Sequence, residues 1–259
     1  MQVKFSKYQG TGNDFVMLDN LSAEYDQLSI ENIKQLCDRK FGIGSDGLIK
    51  INHSGDYAFE MDYFNADGSK SFCGNGARCA VSFAAQIGIS DHEILFDAID
   101  GAHRAKKNGN LVSLSMHKVT EVKTSQSNFI VDTGSPHFIQ FVNDLSKIDV
   151  VQVGRAVRYS SAYEKEGVNV NFVQELAHDK LKVFTYERGV EDETLSCGTG
   201  VTAAAIALAY KNNTIGGQLV RVETKGGDLD VQFTEKDKTY SQISLIGSAQ
   251  HVFDGKIQL

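Results

Sequence analysis

Two short segments carry the residue types best suited to proton chemistry: Cys73-Gly74-Asn75-Gly76-Ala77 and Cys197-Gly198-Thr199-Gly200-Val201, offset by 124 residues. Apolar residues follow each at helical spacing: Ala77, Ala80, Val81, Ala84 and Ala85, then Val201, Ala204, Ala205, Leu208 and Ala209. Cys79, Phe83, Ala203, Ile206 and Ala207 lie off those stripes. Both helices are therefore predicted to be apolar nearly all round, hence buried. Each cysteine then sits at a helix start, where backbone N–H groups lack partners and the dipole is positive. Such an end binds a carboxylate and draws a thiol pKa down from about 8.5 toward neutrality. The flanking glycines let a ligand approach the backbone. Two such ends, facing each other from equivalent halves, would hold one carboxylate and set a sulfur on each face of the carbon beside it. That geometry suits taking a proton from a stereocentre on one face and returning one on the other.

The elements that must position these cysteines repeat as well. A strand-like run, Tyr57 to Phe64, ends in Asn65-Ala66-Asp67-Gly68 before the first helix. Leu181 to Tyr186 ends in Glu187-Arg188-Gly189 before the second. Three short strands follow each helix: Ile94–Phe96, Ala102–Ala105 and Leu111–Met116, then Leu219–Glu223, Leu229–Phe233 and Ile243–Ile246. Thr11-Gly12-Asn13-Asp14-Phe15 resembles Thr133-Gly134-Ser135-Pro136-His137-Phe138. Each half holds one more helical stretch, near Ile30–Phe41 and Val150–Tyr159. The expected fold is α/β (α+β), in two pseudo-symmetric halves, residues 1–119 and 120–259. Each half is a barrel-like, mostly antiparallel sheet around a buried helix. The polar stretch Val119–Asn128 marks the boundary, and the last strand, His251–Leu259, can join either half.

Composition narrows the chemistry. The 259 residues are 41% hydrophobic and 23% charged, with a net charge of −7, which argues against wholesale disorder. No basic block is present, so nucleic acid and anionic membranes are not expected partners. The longest apolar run, Ala203–Tyr210, is too short to span a bilayer. The first twenty residues lack an apolar signal-peptide core. Four cysteines without a C-x-x-C pair suggest neither a disulfide scaffold nor zinc, and a reducing cytoplasm is the expected compartment.

The motifs Gly10-Thr11-Gly12-Asn13-Asp14-Phe15, Phe64-Asn65-Ala66-Asp67-Gly68, Cys73-Gly74-Asn75-Gly76-Ala77-Arg78, Tyr186-Glu187-Arg188-Gly189 and Cys197-Gly198-Thr199-Gly200 resemble the diaminopimelate epimerase family. The likeness spans essentially the whole chain. It implies a cofactor-independent isomerase of lysine and peptidoglycan-precursor synthesis, often a homodimer, interconverting LL- and meso-diaminopimelate. It implies Cys73 and Cys197 as the acid/base pair, with Gly74-Asn75 and Gly198-Thr199 holding the reacting carboxylate. Asn13, Asn65, Asn169, Glu187 and Arg188 would bind the substrate's polar groups, and His137 and Glu187 would orient or polarise the sulfurs. No metal or other cofactor is implied. Two positions depart from the family pattern: Gly47, where many members carry Gln, and Ser135, where many carry Asn.

Other readings have less support. Gly42-x-Gly44-x-x-Gly47 precedes a strand, Leu48–Ile51, and Gly198-x-Gly200-x-x-Ala203 follows a polar loop, Val190–Ser196; neither offers the strand-to-helix context of a dinucleotide fingerprint. Cys37, on an apolar face with Ile30, Ile33 and Leu36, and Cys79, inside the first buried helix, read as core residues. A proline racemase relative would usually carry His at Asn75. A thiol redox protein would need a disulfide in its cycle, and an amino-acid-binding module would not exchange the α-hydrogen.

Overall fold

In a computed structural model, which describes residues 1–90 and 92–259, the chain divides into two units. One comprises Met1–Leu114 with Gly247–Leu259, and the other Ser115–Ile246. The division thus falls a few residues ahead of 119/120, and the C-terminal strand goes with the first unit.

The first unit runs β1 (Gln2–Gly10), β2 (Asn13–Asn20), α1 (Ile30–Cys37), β3 (Gly47–Asn52), β4 (Glu60–Asn65), α2 (Gly74–Gln86), β5 (Glu93–Ala98), β6 (Gly101–Asn108) and β7 (Leu111–Ser115). The second runs β8 (Val122–Ser125), β9 (Asn128–Asp132), β10 (Pro136–Phe141), α3 (Val150–Arg158), β11 (Asn169–Ala177), β12 (Lys180–Glu187), β13 (Asp192–Thr194), α4 (Gly198–Asn212), β14 (Gly216–Thr224), β15 (Gly227–Lys236) and β16 (Thr239–Ser248). The last strand is β17 (Gln250–Gln258). The stretch expected to be a plain loop before the second cysteine contains the three-residue β13, paired with the end of β12.

The repeat extends to the ladders. Helices α1 and α3 connect the parallel pairs β2–β3 and β10–β11. Each pair continues antiparallel, into β4 and β12 respectively. Then α2 leads to β5, parallel to β4, and α4 to β14, parallel to β12. Antiparallel hairpins follow, β5–β6 and β14–β15. The C-terminal β17 pairs antiparallel with β1, as β8 pairs with β9. Thus β17 gives the first unit the flanking strand that the second takes from its own beginning.

Each helix has a local cause. Ser29 caps α1 in a reciprocal box with Asn32, and the Asp149 side chain accepts from Gln152 N to cap α3. Ile33, Leu36 and Cys37 are buried, but Ile30, expected on the same face, is half exposed as the first residue after the cap. α1 stops at Cys37 rather than near Phe41. The Asp38 carboxylate accepts from the Lys40 and Phe41 N–H groups at 2.7 Å each, which turns the chain and leaves Phe41 exposed. In the second unit Val131, Ile139, Val183, Val222, Val231, Phe233 and Leu245 surround α4, whose residues from Gly200 to Ala209 are all buried. That helix ends on Asn213 in the left-handed conformation, and α2 ends just before Gly88 at φ +87°.

Candidate active site

Both cysteines are N-caps with extended backbones: Cys73 at φ −131°, ψ 113° and Cys197 at φ −121°, ψ 109°. Each carbonyl accepts the first helical bond, from Ala77 N at 2.8 Å and Val201 N at 2.9 Å. The sulfurs therefore stand beside the N–H groups of the first turn, where positive potential is greatest.

In the first unit, Cys73 Sγ accepts from Gly76 N at 3.5 Å and donates to Asn13 Oδ1 at 3.5 Å. Asn13 opens β2, and its Nδ2 donates to Asp46 Oδ2 at 2.5 Å. Asp46 is in turn paired with Arg39 at 2.7 Å, and Arg39 also grips Asp14. Burial would push the Asp14 carboxyl up, but hydrogen bonds from Arg39 and Lys7 reverse this and hold it well below the usual carboxylate range. The chain of contacts fixes which end of the Asn13 amide faces the thiol. Asn75 presents Nδ2 to the same Asn13 oxygen at 3.5 Å. Its own Oδ1 accepts from Arg78 Nη2 at 2.9 Å and from Thr11 Oγ1 at 3.4 Å.

Arg78 is fully buried, and its Nε and Nη1 have no hydrogen-bond partner among the described residues. Burial works against its charge. Asn65, at the end of β4, faces its own turn: Oδ1 accepts from Tyr63 at 2.9 Å, and Nδ2 donates to Ser69 Oγ at 3.0 Å and Ser71 Oγ at 3.2 Å. A side chain at Gly47 would run into the Tyr63 ring and the Phe64 carbonyl. Tyr63 thus occupies the room that a glutamine there would require.

In the second unit, Cys197 Sγ lies 3.4 Å from Thr199 Oγ1, and Thr133 Oγ1 donates to the Thr199 carbonyl at 2.9 Å. Thr133 stands in the repeat where Thr11 stands, and both threonines land on the first turn of their central helix. His137, on β10, is fully buried, with Nδ1 3.0 Å from Asn171 Nδ2. Burial and the Arg188 charge push its pKa down to about 3. Gly200 is tightly hemmed in, since a Cβ there would overlap Asn171 Oδ1 and reach within 3.3 Å of His137 Cε1.

Asn169, opening β11, accepts from Arg188 N at 2.9 Å and donates to Ser135 Oγ at 2.7 Å. Ser135 therefore serves as an acceptor for the Asn169 amide. Arg188 Nη1 reaches the Glu166 carbonyl at 2.8 Å. Burial raises the Glu187 carboxyl. Sequence reasoning missed Arg78, Thr11, Asp46, Asn171 and Thr185 as supports. Arg78 left a trace as a charge inside an otherwise apolar helix, and Thr11 as the repeat counterpart of Thr133.

Cys79 and Cys37 are core residues: burial pushes the Cys79 thiol up to about 12 and raises that of Cys37. No group of three or more His, Cys, Asp or Glu side chains is placed to hold a metal ion among the described residues. No helix among them is long and apolar enough to cross a membrane.

The doubled α/β unit is a fold shared with solved structures. The fold matches a Bacillus anthracis phenazine biosynthesis protein of the PhzF family with a TM-score of 0.77, at 13% identity over all of both chains. It also matches a hydroxyproline epimerase from Agrobacterium vitis, solved with trans-4-hydroxy-L-proline, with a TM-score of 0.70. That match has 12% identity over 99% of this chain and 91% of the other. The sequence is more specific. The diaminopimelate epimerase family model matches residues 5–120 and 129–252. The diaminopimelate epimerase of Flavobacterium psychrophilum is 44% identical over 98% of this chain and all of its own length. That of Chlorobaculum tepidum is 40% identical over 96% of this chain and 99% of its own. This chain belongs to the diaminopimelate epimerase family.

Proposed function

We propose that the protein interconverts LL- and meso-2,6-diaminopimelate, with Cys73 and Cys197 as the acid/base pair and no cofactor. The observation that carries this reading is the doubled cap: two cysteines, each the N-cap of a buried helix and each followed by glycine. In each direction one sulfur enters as thiolate and takes the α-proton. The other enters as thiol and gives its proton to the opposite face of the same carbon. The C–H bond broken becomes an S–H bond, and the S–H bond broken becomes the new C–H bond. The enzyme finishes with the two protonation states exchanged. The α-proton of an amino acid is weakly acidic, so negative charge developing at the α-carbon and its carboxylate must be stabilised. The first-turn N–H groups of Gly74-Asn75 and Gly198-Thr199 serve that purpose.

Asn13, Asn65, Asn169, Glu187 and Arg188 bind the remaining polar groups of the substrate, and His137 and Glu187 orient or polarise the two sulfurs. The protein acts in the cytoplasm, as its cysteine usage suggests, and works as a homodimer on a small molecule, with no nucleic acid or membrane partner. Purified protein dialysed against EDTA and incubated with LL-diaminopimelate in D₂O tests this reading. Chiral analysis is expected to show the meso form, carrying deuterium at one α-carbon. Recovery of unchanged, unlabelled LL substrate would contradict it.

A further inference from the structure

Arg78, just over one turn past Cys73 on α2, is a fully buried cation with no carboxylate paired to it among the described residues. Its Nη2 donates to two neutral oxygens, Asn75 Oδ1 at 2.9 Å and Thr11 Oγ1 at 3.0 Å, while Nε and Nη1 have no partner there. Carboxylates on the strands packed against α2 pair elsewhere: Asp14 of β2 with Lys7 and Arg39, Asp62 of β4 with Lys50 and Lys70, and Asp254 of β17 with His251. His103 of β6 pairs with Asp100. The charges that act on Arg78 are those of two thiols, Cys79 and Cys73. Burial pushes the Cys79 thiol up to about 12, so it stays protonated near neutral pH. Cys73 is the group that can supply an anion.

Resting on the functional reading above for the use made of the thiolate, we infer that Arg78 is the buried counter-charge of Cys73, a positioning residue that holds Asn75 while its unmatched charge draws the thiol toward ionisation. The amides beside the sulfur are fixed to suit. Arg78 only donates, so the end of Asn75 that it holds is Oδ1, and Nδ2 faces Asn13 Oδ1 at 3.5 Å. The Asp46 carboxylate, backed by Arg39, only accepts, so it holds Asn13 by Nδ2 at 2.5 Å. Asn13 Oδ1 then accepts from the Cys73 thiol at 3.5 Å, which favours the protonated sulfur. Gly76 N, donating to Sγ at 3.5 Å, and the Arg78 charge favour the thiolate. A buried charge without a partner costs stability, and that cost is offset when the thiolate forms. The same coupling lowers the thiol pKa. Thr202, in the repeat slot at α4, offers Cys197 no such charge.

The pH dependence of iodoacetamide alkylation tests the inference on the full chain, with each cysteine followed separately by peptide mass after digestion. Wild-type Cys73 is expected to titrate below about 8.5, the ordinary value for a thiol. In Arg78→Met its midpoint is expected to rise by about one pH unit or more, and that of Cys197 by less. Arg78→Gln, neutral but still able to donate, is expected to give the same rise and serves in its place if Arg78→Met does not fold. Thr202→Val is expected to leave both midpoints where they were. A wild-type Cys73 midpoint at or above the ordinary value, or one that does not move in a folded neutral variant, would overturn the inference. So would equal rises at Cys73 and Cys197, the mark of a general loosening of the fold. A protein that shows the expected shifts but fails to epimerise diaminopimelate would refute the functional reading while leaving the counter-charge intact.

Discussion

The starts of α2 and α4 share a backbone and differ in what stands behind it. Behind Cys73 lies a buried cation, Arg78, clamping Asn75 and Thr11, with an Arg39–Asp46–Asn13 chain reaching the sulfur. At α4 the residue in the repeat slot of Arg78 is Thr202, whose hydroxyl simply donates to the Gly198 carbonyl at 2.9 Å. One polar relay there is made of uncharged side chains, running from Thr185 through Asn171 to His137. The glycines differ in the same sense. A Cβ at Gly76 would press on Ile49, Phe15 and Met61, all apolar tips at 3.0 Å or more, whereas one at Gly200 would overlap an amide oxygen. The repeated topology thus supplies two equivalent helix ends, and the side chains beneath make them electrostatically unlike.

The comparison breaks most completely at the cysteines. If each sulfur serves one face, Cys73→Ala and Cys197→Ala are each expected to lower turnover at least ~10³-fold, within the range for a general acid or base, with circular dichroism unchanged. Substantial turnover in either variant would make the halves redundant. Next in size is Arg78→Met. Removing an unpaired buried charge is expected to leave thermal stability near wild type while freeing the Asn75 amide. A lost charged hydrogen bond of about 1.5–3 kcal/mol corresponds to roughly 10- to 150-fold in kcat/KM. Thr202→Val is expected to change kcat/KM little. Equal losses in the two would remove the asymmetry.

The glycine pair sharpens the same point. Gly200→Ala is expected to lower the unfolding free energy by about 1–3 kcal/mol through overpacking, and to lower turnover by displacing Asn171. Gly76→Ala is expected to cost less, because side-chain tips can yield. Chemical denaturation of both variants checks the order. The last expected effect is on stability against pH. The folded-state pKa of His137, about 3, lies below its unfolded value of 6.5. The unfolded chain therefore binds the proton first as pH falls. The contribution of the buried ring is intact above pH 6.5 and declines as pH drops toward 3, by about 2 kcal/mol at pH 5. Denaturation midpoints at pH 7 and 5 are expected to differ less in His137→Gln; an unchanged difference would mean that the ring titrates normally.

Much of this architecture is legible in the sequence because its signals are local. A cysteine between a polar turn and an all-apolar run predicts a capped, buried helix, and the 124-residue offset reveals the doubling. The supports are harder to see. Asn171 and Thr185 are polar residues on strands, and nothing in their spacing says that both point inward. That follows from the register β10–β11–β12, which sets His137 beside Asn169, and Asn171 beside Thr185. Ile30 fits the apolar period yet lies half exposed, because the period does not report where the cap places the first turn. Gly47 and Ser135 look like lost amides in the sequence, but their roles depend on Tyr63 and Asn169, partners distant in the chain.

The central claim is that unlike halves perform opposite proton transfers on one carbon. It is tested most directly under single-turnover conditions, with enzyme in excess over LL-diaminopimelate deuterated at both α-carbons, in ordinary water. The meso product is expected to carry solvent hydrogen at the inverted carbon, because the incoming proton comes from the thiol that did not take the deuteron. Product that retained the substrate's deuterium at that carbon would mean that a single base serves both faces, and would contradict the account.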